Sequence, residues 1–170
     1  MKTDFGGRKT SLCYLEKDGR YLILHRTKKE HDENQDKWIG VGGKFEPGET
    51  PDVCALREVK EETGLTMTDY RLRGVIAFIS DRWQTEYMFL YTANGFEGEV
   101  GSCNEGDLEW IDKRKVYDLP VWEGDKIFFR LLETRADCFS LKLRYVGESL
   151  VEVLLDGRAV DWQAMISAID

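Results

Sequence analysis

Apolar residues run unbroken through Leu12 to Leu15 and Tyr21 to Leu24 within Thr10 to Leu15 and Arg20 to His25, and Asp18-Gly19 between them is a strong two-residue turn signal, so this stretch predicts a β-hairpin. Leu72 to Ile79 and Glu86 to Thr92 are rich in β-branched and aromatic residues and predict two further strands, with a short one over Leu108 to Ile111. Phe139, Leu141, Leu143 and Tyr145 recur at every second position before Gly147 turns the chain into Leu150 to Leu155. Helical spacing takes over from about Asp125 to Arg135, where Ile127, Leu131 and Leu132 share an inner side. It returns at Trp162, Met165, Ile166 and Ile169, a short amphipathic stretch. With a helix over about 51–63, the elements mix into an α/β fold without repeats, low-complexity segments or linkers. Residues 1–155 read as one domain and 156–170 as a C-terminal extension that docks on its own domain or on a partner subunit.

The 51–63 helix has its ends written in the sequence. Thr50 offers a capping oxygen, Pro51 suits the first helical position, and Gly64 suits the left-handed terminator. On a helical projection Glu58, Glu61 and Glu62 fall within an arc of about 100°, and Val53, Leu56 and Val59 centre on the opposite side. One face is expected to pack and the other to collect carboxylates. Like charges at these spacings destabilise a helix unless something neutralises them. Carboxylate oxygen donors with no histidine in this stretch suit Mg²⁺, with Mn²⁺ as a substitute, and not zinc. A solvated acidic face is the plainer reading. Just upstream, Gly40, Gly42 and Gly43 clear side chains from a loop that approaches a ligand, and Pro47-Gly48 makes a turn.

The plainer reading does not account for the fixed intervals around the helix. Gly43, five residues, Glu49, seven residues, Arg57-Glu58-Val59, one residue, Glu61-Glu62, one residue, Gly64-Leu65 is a spaced pattern that chance fills with odds on the order of one in a hundred million per starting position. It resembles the signature of the Nudix hydrolases, and the resemblance is complete within this box. That resemblance implies an α/β/α sandwich around a central mixed sheet and metal-assisted hydrolysis of a phosphoanhydride in a nucleoside diphosphate derivative. It assigns Glu58, Glu61 and Glu62 to the metal, with Glu58 the leading candidate for the base, and adds the Gly42 carbonyl as a ligand. Glu49 and Arg57 become an ion pair that positions loop and helix. Gly43 and Lys44 fall to substrate contact.

Beyond the box, similarity over roughly Lys9 to Leu155 lies with bacterial MutT-like enzymes of the nucleotide pool. In such enzymes a distant loop supplies a fourth carboxylate, and Glu105 stands there, beside Asp107 and Glu109, which share its acidic loop. Arg26 occupies the place of a phosphate-binding basic residue, and a surface charge fits it equally well. Thr27 to Lys37 is polar, with Lys28, Lys29, His31 and Lys37. His25 and His31 lack partners at metal spacing and read as structural or solvated. Leu119 to Asp125 resembles the corner where a tryptophan stacks on a purine and an acid reads its edge, roles that fall to Trp122 and Asp125. Core filling by Trp122 and stabilisation of a helix N-terminus by Asp125 are the alternatives. Trp38 is followed by Ile39 where sanitising enzymes of the vertebrate type carry a base-reading asparagine, and Gly124 stands where a second aspartate can occur.

The resemblance therefore points to a Mg²⁺-dependent pyrophosphohydrolase of 8-oxo-dGTP with attack at the β-phosphorus. Hydrolysis of ADP-ribose, a dinucleoside polyphosphate or a capped RNA end is the runner-up, and a noncatalytic nucleotide sensor the alternative of another class. Composition fits this frame. With 42% hydrophobic and 33% charged residues, the 170-residue chain is ordinary for one globular domain. A net charge of −8 disfavours a nucleic-acid polymer as partner and leaves a small nucleotide open. Cys13, Cys54, Cys103 and Cys138 are scattered, which fits free thiols. Met1 to Lys9 has no apolar core of the kind a secretion signal needs, and no run approaches membrane-spanning length. Cytoplasmic location is expected, and a homodimer is compatible with all of this.

Overall fold

β1 (Arg8–Lys17) turns through Asp18-Gly19 into β2 (Arg20–Arg26), with Glu16 opposite Tyr21 and Lys17 opposite Arg20, so the expected hairpin forms. The computed structural model describes residues 6–28 and 34–168. Lys29, His31 and Ile169, which figure in the sequence reading, lie outside them. β3 (Trp38–Ile39) and β7 (Gly106–Asp112) flank β2, while β4 (Val41–Lys44) pairs with the first half of β1. The glycines expected in a loop thus lie in and beside a strand. β5 (Thr66–Ser80) and β6 (Glu86–Glu97) are longer than their apolar runs indicated and pair antiparallel through several register shifts.

β8 (Phe139–Val146), β9 (Ser149–Leu155) and β10 (Arg158–Ala159) extend the sheet, whose main path among the described residues is β10-β9-β8-β5-β6-β1-β2-β3. Two pairs, β1 with β6 and β5 with β8, are parallel; the sheet is mixed. The period-2 alternation of β1 then feeds two cores. Cys13 and Leu15 point to α1 (Pro51–Thr63), together with Leu22, Val41, Ala55 and Val59. Tyr14 points to α2 (Glu123–Thr134), together with Tyr21, Ile23, Phe128 and Phe129. The result is an α/β/α sandwich.

α1 is capped as its sequence indicates. The Thr50 side chain accepts from the Val53 N–H at 3.3 Å, and Gly64 ends the helix at φ 82°. Its packing face differs from expectation. Cys54, Ala55, Val59, Glu62 and Thr63 are buried, whereas Val53 is 50% exposed. Small residues next to the glutamates let the helix lie close to β1 and β4, so the carboxylate arc sits along the packed side.

α3 (Trp162–Ser167) starts at Asp161, whose side chain accepts from the Ala164 N–H at 3.1 Å. Trp162, Met165 and Ile166 pack against the α2 core, partly buried. Truncation after Asp156 removes this cover and should cost about 2–4 kcal/mol, which lowers Tm by about 5–10 °C in thermal unfolding. An unchanged Tm would mean that the helix adds nothing to the core. Among the described residues no helix is long and apolar enough to cross a membrane.

Candidate active site

Alternate residues of β1 build the floor of a cleft of about 500 Å³. Thr10, Leu12 and Tyr14 face it, with Gly40 and Gly42 on one flank and Met88 of β6 on the other. α1 closes one wall with Glu58 and Glu62, the loop before β7 brings Glu105, and the start of α2 brings Trp122 and Asp125. Gly43, Lys44, Arg26 and Arg57 complete the expected residues that border this space. Glu49 and Glu61 do not border it and reach the group through Arg57.

Arg57 organises the carboxylates. Its Nε and one terminal nitrogen each donate to Glu49 at 2.8 Å, and the same terminal nitrogen donates to the Lys44 carbonyl at 3.0 Å. The other donates to Glu58 at 2.7 Å and to Glu61 at 3.1 Å. Glu49 also accepts from the Glu46 N–H at 2.7 Å, and these bonds hold its carboxyl at about 2. Glu61 is more than half exposed.

Glu58 and Glu62 are held differently. A Cβ on Gly43 would lie 2.5 Å from the Glu58 carboxyl carbon, so only glycine lets that carboxylate reach the strand. Burial raises the Glu58 pKa, with Arg57 opposing and Glu61 and Glu105 adding to the rise. Glu62 is 8% exposed and accepts from the Gly42 N–H at 3.1 Å. Burial and the neighbouring Glu105 push its carboxyl well above the usual range. A clustered set of hard oxygen donors whose mutual repulsion is already evident fits a divalent cation. Among the described residues no three acidic, histidine or cysteine side chains are gathered closely enough as they stand to hold a metal ion. Their charges are shared out instead, Glu61 to Arg57 and Glu105 to Arg26 at 2.7 Å.

The far end of the cleft is aromatic. Trp122 is 7% exposed, with Phe78 and Tyr145 packed T-shaped against it and Lys37 Nζ 4.6 Å from its ring centroid. It fills the core and lines the cleft at once. Its indole N–H donates to Asn34 Oδ1 at 2.8 Å. Asp125 is 7% exposed, and burial raises its carboxyl to about 8. Ile39 joins the apolar wall. His25 stacks on Trp38 at 4.5 Å and has a structural role.

Tyr14, Asn34, Phe78 and Met88 were not foreseen in the site. The alternation of β1 placed Leu12 and Tyr14 on one face, but no local signal reveals that β6 lies parallel beside it.

Asp125 makes stability pH-dependent. The folded protein keeps its proton up to about 8, whereas the unfolded chain releases it near 4, so stability falls as pH rises through that window. Asp125→Asn should leave Tm unchanged near pH 4 and stabilise by on the order of 2–4 kcal/mol at pH 8. Parallel Tm curves for the two proteins across that range would refute this.

Comparison with known proteins agrees with this geometry. The NUDIX domain profile matches residues 7–132. The Bacillus subtilis (strain 168) Nudix hydrolase YvcI is 33% identical over 118 residues, 66% of this chain and 71% of that protein. The oxidized purine nucleoside triphosphate hydrolase of Danio rerio is 32% identical over 130 residues, 75% of this chain and 81% of that protein. The crystal structure of the mutator MutT protein of Bacillus halodurans superposes with a TM-score of 0.78 at 28% identity, covering 88% of this chain and 97% of that one. Nudix hydrolases generally use divalent metal ions, as the donor set here permits. With the signature box folded into the wall of the cleft and the profile spanning most of the sequence, the chain belongs to the Nudix family of hydrolases, which act on phosphoanhydride bonds.

Proposed function

We propose that the chain is a Mg²⁺-dependent nucleoside triphosphate pyrophosphohydrolase that converts 8-oxo-dGTP to 8-oxo-dGMP and pyrophosphate and so cleans the nucleotide pool. The observation that supports this most is that one cleft joins the buried carboxylates Glu58 and Glu62 to an aromatic end carrying Trp122 and Asp125. Glu58, Glu61, Glu62, Glu105 and the Gly42 carbonyl would hold the cation, with Mn²⁺ as a substitute. When bound, it offsets phosphate charge and acidifies water.

The protein's own groups do the rest. Glu58 takes the proton of the attacking water, its carboxylate held in place by Arg57 and by the missing side chain of Gly43. Glu61 joins the cation group by turning away from Arg57. Gly43 and Lys44 meet the phosphates. Arg26 borders the same space with one guanidinium nitrogen engaged by Glu105. Trp122 stacks on the base once Lys37 gives way, and a protonated Asp125 donates to its edge. The Danio rerio relative, named for oxidized purine nucleoside triphosphates, supports this choice.

Ile39, which has no polar group to offer a base, favours a second reading, the hydrolysis of another nucleoside diphosphate derivative. A Mg²⁺-dependent turnover panel of 8-oxo-dGTP, dGTP, ADP-ribose and a dinucleoside polyphosphate, with products identified, separates the two. Strong preference for the oxidised triphosphate supports sanitation. Preference for ADP-ribose or the dinucleotide overturns it, and tight binding without product makes the domain a sensor.

A further inference from the structure

The loop that carries Glu105 is tied down by residues of another element. Arg26, at the end of β2, donates to Glu105 Oε2 at 2.7 Å, and its side chain is only 12% exposed. Two residues on, the Lys28 backbone N–H donates to the Glu105 carbonyl at 3.2 Å. The Lys28 ammonium reaches the Cys103 carbonyl at 2.9 Å. Next along the loop, Gly106 pairs opposite Arg26, so close that a Cβ there would lie 1.8 Å from the His25 carbonyl oxygen. Three hydrogen bonds from two basic residues therefore fix a stretch of three residues against the end of one strand. The carboxylate so fixed borders the same cleft as Glu62 of α1 and is near enough to raise the Glu62 pKa. Without those bonds an acidic loop has every electrostatic reason to swing Glu105 away from Glu58 and Glu62.

We propose that Arg26 and Lys28 are positioning residues that act through Glu105, locking the 103–105 loop so that its carboxylate completes the cation group on α1. The inference rests on the assignment of Glu105 to that group. It gives Arg26 a task different from holding substrate phosphates, and it gives Lys28, otherwise one basic residue in a polar stretch, a task of its own. Partners of this kind, which orient a metal ligand without touching the metal, typically change metal affinity or activity by about 10- to 100-fold when removed.

The test combines Mn²⁺ titration in the absence of nucleotide with Mg²⁺-dependent turnover of 8-oxo-dGTP and dGTP. It uses the full chain and the variants Glu105→Gln, Arg26→Gln, Lys28→Met, Arg26→Lys and the doubles that combine Glu105→Gln with Arg26→Gln or Lys28→Met. Removing a positive charge beside a cation site should by Coulomb's law alone tighten cation binding. Positioning requires the reverse: Arg26→Gln and Lys28→Met weaken Mn²⁺ binding by about tenfold toward the Glu105→Gln value, lower kcat more than they change KM, and add little in the Glu105→Gln background. Arg26→Lys, which keeps one donor, recovers much of the loss.

Unchanged or tighter Mn²⁺ binding by the single variants overturns the inference. So do turnover losses that multiply in the doubles, which is the pattern of direct phosphate contact. Thermal unfolding of each variant separates local effects from loss of fold, and Lys28→Met carries the decision if Arg26→Gln does not fold. A full chain that binds Mn²⁺ but leaves both triphosphates intact refutes the proposed substrate alone, and the Mn²⁺ isotherms then decide the inference. A full chain that binds no Mn²⁺ removes the cation site and the inference with it.

Discussion

Replacing Glu58 or Glu62 by glutamine is expected to lower Mg²⁺-dependent turnover by about three orders of magnitude or more while the chain stays folded. The two carboxylates lose different things. In the proposed mechanism Glu58 gives up the oxygen that takes a proton, and glutamine keeps its shape and, through its amide oxygen, a weaker uncharged bond to Arg57. Glu62 gives up negative charge in the buried wall of the cleft, where each neighbouring charge counts more than in water. Stability should move the other way for Glu62. Its ionised carboxylate is disfavoured in the folded protein by burial and by Glu105, so Glu62→Gln should unfold at or above the parent temperature at neutral pH. Single-turnover rates beside Tm curves make the check. Near-parent rates in both variants would remove the assignment of the chemistry to α1.

Arg57→Met should be nearly as damaging for turnover and far more so for the fold. One side chain donates to Glu49, Glu58, Glu61 and the Lys44 carbonyl, so its loss strands Glu49 and frees Glu58 together. Leaving Glu49 without its two-pronged partner lowers Tm, and misplacing Glu58 costs turnover by about a hundredfold or more. The pH profile identifies the cause. Arg57 holds the Glu49 carboxyl at about 2, so this contribution to stability is present above pH 4 and is lost as pH falls through about 2. In Arg57→Met the difference from the parent should therefore shrink toward the lowest pH at which both still fold. Arg57→Lys, with a point charge in place of a fork, should recover the fold better than the rate. A variant with parent stability at pH 7 would mean that Glu49 finds another partner.

The box was legible because its physics is local. Caps at Thr50 and Gly64, the glutamate spacing and the Glu49 to Arg57 interval are all settled within one helix and its approach. The choice of packing face was not, because Cys54 and Ala55 are weaker hydrophobic signals than Val53, and only the closeness of β1 and β4 selects them. β8 was visible by alternation and β5 and β6 by their β-branched and aromatic residues, yet the last two ran past their apolar cores because they support each other across bulges. Parallel partners leave no local trace, so Met88 and Phe78 could not be assigned to the cleft from sequence. Arg26 and Glu105 were both singled out, but their bond to each other depends on the pairing of β2 with β7.

Tyr145 of β8 packs against Trp122 and accepts from the Gly124 N–H at 2.7 Å. The corner proposed to meet the base is thus mounted on a strand that follows the profile-matched region, whereas Glu58 and Glu62 are mounted on α1, and β1 lies between the two cores. Selection and cutting are separable inheritances in such a design: rebuilding β8 and its neighbours can retune what is admitted while the machinery that severs the bond stays as it was.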